Sequence, residues 1–139
     1  MTISPIDAGE YFRGLLLLTR KDHKISDAEA ELMRRIGKSL GFEREFCEDA
    51  IRDILENKYI LDMPPQFSAG ELAMSFIKDG LTLAYSDQEI PASEEEWLMS
   101  VAAKNGLDNE WFNRELENAS MRKDGHVHLE ADNFSVEYS

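Results

Sequence analysis

The chain has 139 residues, a length that fits one domain and needs neither a disulfide nor a metal merely to bury a core. Its 15 Lys+Arg against 28 Asp+Glu leave a net charge of −13, which repels phosphate backbones and anionic lipid heads and excludes nucleic-acid binding as an expected activity. Hydrophobic residues at 42% exclude wholesale disorder, and a single cysteine, Cys47, excludes an internal disulfide or a thiolate metal centre.

Helix signals follow one another along the chain. Ser4-Pro5 reads as an N-cap with proline at the first helical position, opening a helix through Tyr11, Phe12 and Leu15–Leu18 to about Arg20. Met1–Glu10 has no basic leader, and Leu15–Leu18 is flanked by Arg13 and Arg20. No signal peptide or membrane span is expected, and the reading is cytoplasmic. Asp22-His23-Lys24 forms a turn, and Ser26-Asp27-Ala28-Glu29 fits a capping box. The helix that follows carries Leu32, Met33, Ile36 and Leu40 at three-to-four spacing and closes at Gly41. A third helix carries Phe46, Ala50, Ile51, Ile54 and Leu55, with Cys47 as a small core filler.

Residues 58–67 break the pattern, because Pro64-Pro65 cannot sit inside a helix. Ser68-Ala69-Gly70-Glu71 reads as a further capping box, opening a helix through Leu72, Phe76, Ile77, Leu81 and Leu83. A turn at Ser86–Glu89 follows, then a helix with Trp97, Leu98 and Val101, then Gly106, then a helix with Trp111, Phe112 and Leu116. From Met121 the chain is polar. Val127, Leu129 and Ala131 alternate briefly with polar residues, but a loose tail is the expectation for 121–139.

Sliding the chain by 65 residues superimposes its halves without a gap. Over Phe12–Ile51 against Ile77–Leu116, eight of 40 pairs are identical: Leu16/Leu81, Leu18/Leu83, Asp22/Asp87, Ile25/Ile90, Glu29/Glu94, Glu31/Glu96, Gly41/Gly106 and Glu45/Glu110. Chance at ordinary composition gives roughly two or three. Apolar character is kept at Leu32/Trp97, Met33/Leu98, Ile36/Val101, Phe42/Leu107, Phe46/Trp111 and Ile51/Leu116, which are read as core-facing. The expected fold is all-α: a compact six-helix domain, with a seventh helix as the upper limit, over residues 1–120. It comprises two trihelical repeats related by approximate two-fold symmetry, repeat one at about 5–57, a linker at 58–67 and repeat two at about 68–120.

Each turn reads Asp-x-x-Ile-x-x-x-Glu: Asp22, Ile25 and Glu29 in the first half, Asp87, Ile90 and Glu94 in the second. The isoleucine anchors the turn and the acids flank it. An EF-hand loop aligned on Ile25 puts Asp22 and Glu29 at ligand positions 5 and 12. Positions 1 and 3 are then Leu18 and Arg20, or Leu83 and Tyr85, and that reading fails. Two readings stay open. Either the aspartates bond turn N–H groups and the glutamates serve helix N-termini, or Asp22, Glu29, Asp87 and Glu94 share a divalent cation. The capping explanation is weaker for Glu94, since its equivalent partner is Pro91, which has no N–H. Ser93 to Glu96 offers a shifted box instead.

Asp22-His23-Lys24-Ile25-Ser26-Asp27-Ala28-Glu29 and the helix to Gly41 resemble the TerB-like domain of tellurite-resistance proteins and of the N-terminal region of the DjlA co-chaperone. Asp87-Gln88-Glu89-Ile90 through Glu94 matches the second copy, and the resemblance covers roughly Tyr11 to Leu116. The glycine that often follows the aspartate in that family is His23 and Gln88 here. The resemblance implies a bacterial cytoplasmic accessory protein linked to stress responses at the membrane. It also implies divalent-metal binding through the acids, and no enzyme activity.

Other motifs carry less. His126-x-His128 is a metal pair in form but sits in a polar segment without a cysteine. No nucleophile–base constellation accompanies His23, and Gly9, Gly14, Gly70 and Gly80 are isolated in helical contexts rather than in a phosphate loop. Tyr59, Phe67 and Tyr85, near helix breaks, are read as core or as an interaction patch for a protein partner.

Overall fold

The computed structural model describes residues 1–21, 24–56, 62–87, 90–121 and 127–138, with Asp87 described in its backbone alone. Among these lie six α-helices: α1 (Pro5–Arg20), α2 (Asp27–Ser39), α3 (Arg44–Asp53), α4 (Gly70–Ala84), α5 (Ala92–Lys104) and α6 (Asn109–Ser120). Two short 3-10 helices, Tyr85–Asp87 and Glu130–Asn133, and two-residue strands β1 (Thr2–Ile3) and β2 (Ser135–Val136) complete the set. The strands pair in parallel, Thr2 opposite Ser135 and Ile3 opposite Val136. No described helix is long and apolar enough to cross a membrane.

The 65-residue spacing is written into the backbone. α1 and α4 start at 5 and 70, α2 and α5 run 27–39 and 92–104, and α3 and α6 start at 44 and 109, each 65 apart. α2 and α5 also end alike. Gly41 and Gly106 have φ of 83° and 71°, the left-handed conformation that a Cβ disfavours. Phe42 N donates to Gly37 O at 3.0 Å and Leu107 N to Ala102 O at 2.9 Å, the long bond of a Schellman closure in both halves.

α1 and α4 are the inner pair. α1 packs on α2, α4 and α5, and α4 on α1, α2, α5 and α6. The run Leu15–Leu18 is buried on every side, as expected of a helix apolar all round. At Gly14 an added Cβ would fall 2.7 Å from Pro65 Cγ and 2.8 Å from the Phe76 ring, so glycine admits the linker and α4 to the α1 backbone. The linker is held by polar side chains reaching its carbonyls: Arg13 to Met63 O (3.1 Å), Lys104 Nζ to Pro64 O (3.0 Å) and Asn105 Nδ2 to Pro65 O (2.9 Å).

Several local expectations are corrected. Ser68 does not cap α4. Its N–H, at 3.1 Å, and its hydroxyl both go to the buried carboxylate of Asp7, so the helix starts after Ala69 with no side-chain cap bond. Nor does Ser93 form a shifted box, because α5 begins after Pro91 and Ser93 lies inside the helix. α3 stops at Asp53, leaving Ile54 buried as its C-cap and Leu55 exposed. Phe46 is not core-facing but 54% exposed.

The loose tail is the largest correction. Leu129, Ala131 and Phe134 are buried, and the segment docks on α2 and α4 before β2 joins β1. What holds it is Asp79 on α4, 1% exposed. Its carboxylate accepts from Glu130 N (2.7 Å), Ala131 N (3.0 Å) and the Tyr11 hydroxyl (2.7 Å). Arg35 of α2 adds an ion pair to Asp132. Polar composition hid this docking, because the anchors are three apolar residues and the backbone itself.

Candidate site at the two acidic turns

Glu29 and Glu94 are each the third residue of their helix, α2 and α5, and both are buried, at 3% and 1% exposure. Local sequence places them differently. Ser26 caps α2: Glu29 N donates to Ser26 Oγ at 3.1 Å, and Ser26 N donates to Glu29 Oε1 at 3.2 Å, a complete capping box. Pro91 caps α5 with backbone geometry alone and no side-chain bond. The Glu94 carboxylate therefore sits at a helix N-terminus, where the macrodipole favours an anion, without the box that occupies Glu29.

The two halves meet beside these turns. Ser93 Oγ, on the first turn of α5, donates to the Lys21 carbonyl at the end of α1 at 3.5 Å. Lys21 Nζ lies 5.9 Å from the centroid of the Trp97 ring on α5 and pairs with Asp62. Reciprocally, α2 packs against the 3-10 segment Tyr85–Asp87 that follows α4. Ile25 and Ile90 are both partly buried against the core, as anchors of their turns should be. The fold thus sets the end of α1 beside the first turn of α5, and the segment after α4 beside α2.

Of the four candidate ligands, Glu29 and Glu94 are placed by these contacts. Asp22 lies outside the described residues, with its neighbour His23, and nothing is described of the Asp87 side chain. Among the described residues no group of three or more His, Cys, Asp or Glu is positioned to hold a metal ion. His126 and Tyr59 also fall outside the described residues; His128 is exposed, with Nε2 3.2 Å from Glu130 Oε2. Phe67 is core, its ring 5.8 Å from Tyr11 and 5.3 Å from Phe76, and Tyr85 is partly buried against the core. Cys47 is buried, which pushes its thiol pKa up and leaves it a poor nucleophile.

Sequence reasoning missed the two other buried carboxylates, Asp7 and Asp79. Burial pushes the Asp79 pKa up to about 6 against the lowering effect of its three donors, and the Tyr11 hydroxyl is pushed well above its ordinary value by burial and by the Asp79 charge. A signal was present. Leu72, Phe76, Asp79 and Leu83 fall on one helical stripe, so an acid sits where the period calls for an apolar residue. Both acids hold chain segments in place.

The chain matches no family model, no curated protein and no solved structure in the comparisons made.

Proposed function

We propose that the chain is a non-enzymatic accessory module of TerB-like type, of a bacterial stress or tellurite-resistance class, that holds a divalent cation where its two acidic turns meet. Asp22, Glu29, Asp87 and Glu94 are the proposed ligands. The observation that supports this reading is the burial of two glutamates 65 residues apart, at the same helical position, with the end of α1 bonded to the first turn of α5. Buried carboxylates in proximity repel one another, and a hard dication bound through oxygen relieves that repulsion.

A thermal-shift series with Ca²⁺, Mg²⁺, Mn²⁺ and Zn²⁺ tests it. At 100 times the dissociation constant a ligand stabilises the native state by about 2.7 kcal/mol, which raises the melting temperature of a domain of this size by several degrees. The shift disappears in Asp22→Asn/Asp87→Asn. No shift with any of the four ions sinks the cation reading.

A second reading, a protein-interaction scaffold whose acids only shape turns, is favoured by the Glu29 capping box, which accounts for that carboxylate without a ligand. It expects partner capture that persists in EDTA.

A further inference from the structure

We propose that the groove between α1, α3 and the proline linker receives an amphipathic, basic helix from a partner protein. The proposal deepens the interaction-scaffold reading and owes nothing to the cation site. In the second half α4 packs directly along α6. In the first half the described residues leave a cavity of about 830 Å³ between the corresponding helices, walled by Phe12 and Leu16 of α1, Phe46 and Ala50 of α3, and Met63 and Pro64 of the linker.

The wall is aromatic. Phe12, Phe42 and Phe46 stand with ring centroids 5.3, 6.1 and 5.4 Å apart. Phe46 and Met63 remain 54% and 52% exposed, an expense in water for two large apolar side chains facing one groove. The Met63–Pro64 wall is held in place, because Arg13 donates to the Met63 carbonyl and Lys104 to that of Pro64. A preformed apolar channel beside a helix suits the helix-in-groove mode, in which residues at i, i+3 or i+4, and i+7 insert as anchors.

The net charge of the chain, more than the ion-paired lip acids, selects the occupant. Asp49 and Asp53 lie one helical turn apart on the α3 lip, with Glu10 on the α1 lip. Of the lining cations, Arg13 pairs with Glu10 and Lys104 is turned to Pro64 O. Arg52 answers Asp49 and Asp53 from outside the groove. With −13 on the whole chain, an anionic amphiphile is repelled, and so is a second copy of this chain, whereas Lys and Arg flanking an apolar stripe are attracted.

The test uses the full chain in EDTA and fluorescence anisotropy with labelled Leu/Lys peptides of about 16 residues, patterned at helical spacing in each register. Binding is expected for the Leu/Lys series and is lost when every Lys is Glu. It weakens about tenfold in Phe46→Ala, whose exposed ring can be removed with the fold retained by circular dichroism. It weakens several-fold in Asp49→Asn/Asp53→Asn, with a shallower salt dependence. Failure of every register, equal affinity for the Glu series, or unchanged affinity in Phe46→Ala overturns the proposal. So does a concentration-dependent dimer abolished by Phe46→Ala, which assigns the groove to a second copy, or competition by hexadecanoate at equal affinity. If Phe46→Ala loses the peptides but captures the same proteins in a pull-down, the groove assignment fails and the scaffold reading survives.

Discussion

The two halves of the molecule space their helices alike and diverge in what their polar residues do. Helix starts fall 65 residues apart, and the left-handed glycines and closing hydrogen bonds recur. Yet where α4 carries the buried Asp79, the corresponding residue of α1 is Gly14, against which Pro65 and Phe76 pack. Where α2 opens with a Ser26–Glu29 box, α5 opens with Pro91 and a buried Glu94. Where α4 packs on α6, α1 and α3 part around a groove. The repeating frame needs only apolar periodicity and a glycine stop. Polar positions are free of that requirement, and each half has used them for a different tertiary task.

The sharpest test of this contrast is Asp79→Ala, which has no counterpart in the first half. It leaves the Tyr11 hydroxyl and the N–H groups of Glu130 and Ala131 without their acceptor. Unsatisfied buried donors on that scale cost about 3 to 5 kcal/mol, read as a lower urea midpoint, with residues 129–136 losing hydrogen-exchange protection first. A loss confined to global stability, with the C-terminal segment still protected, breaks the view that Asp79 is its anchor.

A pH series sharpens the same point. The folded pKa of about 6 lies above the ordinary 3.8, so between those values the native state holds a proton that the unfolded chain does not. The Asp79 contribution therefore rises as pH falls from 6 toward 4 and is lost as pH rises through 6. The full difference is worth about 3 kcal/mol before native-state relaxation reduces it. Subtracting the stability curve of Asp79→Asn isolates this trend from the other carboxylates; a flat difference curve contradicts it.

The smallest effect compares the paired glycines. Alanine at either must hold a positive φ, at a cost of about 1 kcal/mol. At Gly106 the new Cβ meets nothing within 4 Å, while at Gly41 it falls 3.1 Å from Tyr138 Cε2, whose hydroxyl donates to Leu40 O. Gly41→Ala is therefore expected to lower the urea midpoint more than Gly106→Ala. Equal losses would mean that Tyr138 yields without cost and that the C-terminal segment is only loosely coupled to α2.

Much of the frame was legible because its causes are local. Ser4-Pro5, the Ser26–Glu29 box, the double proline and both terminating glycines act within a few residues of themselves, and each works as expected. Ser68 and Ser93 matched cap motifs and were drawn elsewhere, to Asp7 and to the Lys21 carbonyl, by partners 61 and 72 residues away. Of the acidic site, the sequence supplied the correspondence of Glu29 with Glu94 and their helical position, but not that both are buried.

Sequence alone determined the all-α class, the spacing of 65 and the six helices, because periodicity and capping are set by neighbours along the chain. Tertiary structure decided the rest. It docked a polar C-terminal segment through Asp79, opened a groove between α1 and α3, and set the end of α1 against the first turn of α5. The buried carboxylates of Asp7 and Asp79 are tolerated because distant donors converge on them, and no reading of adjacent residues reveals which segments those donors come from.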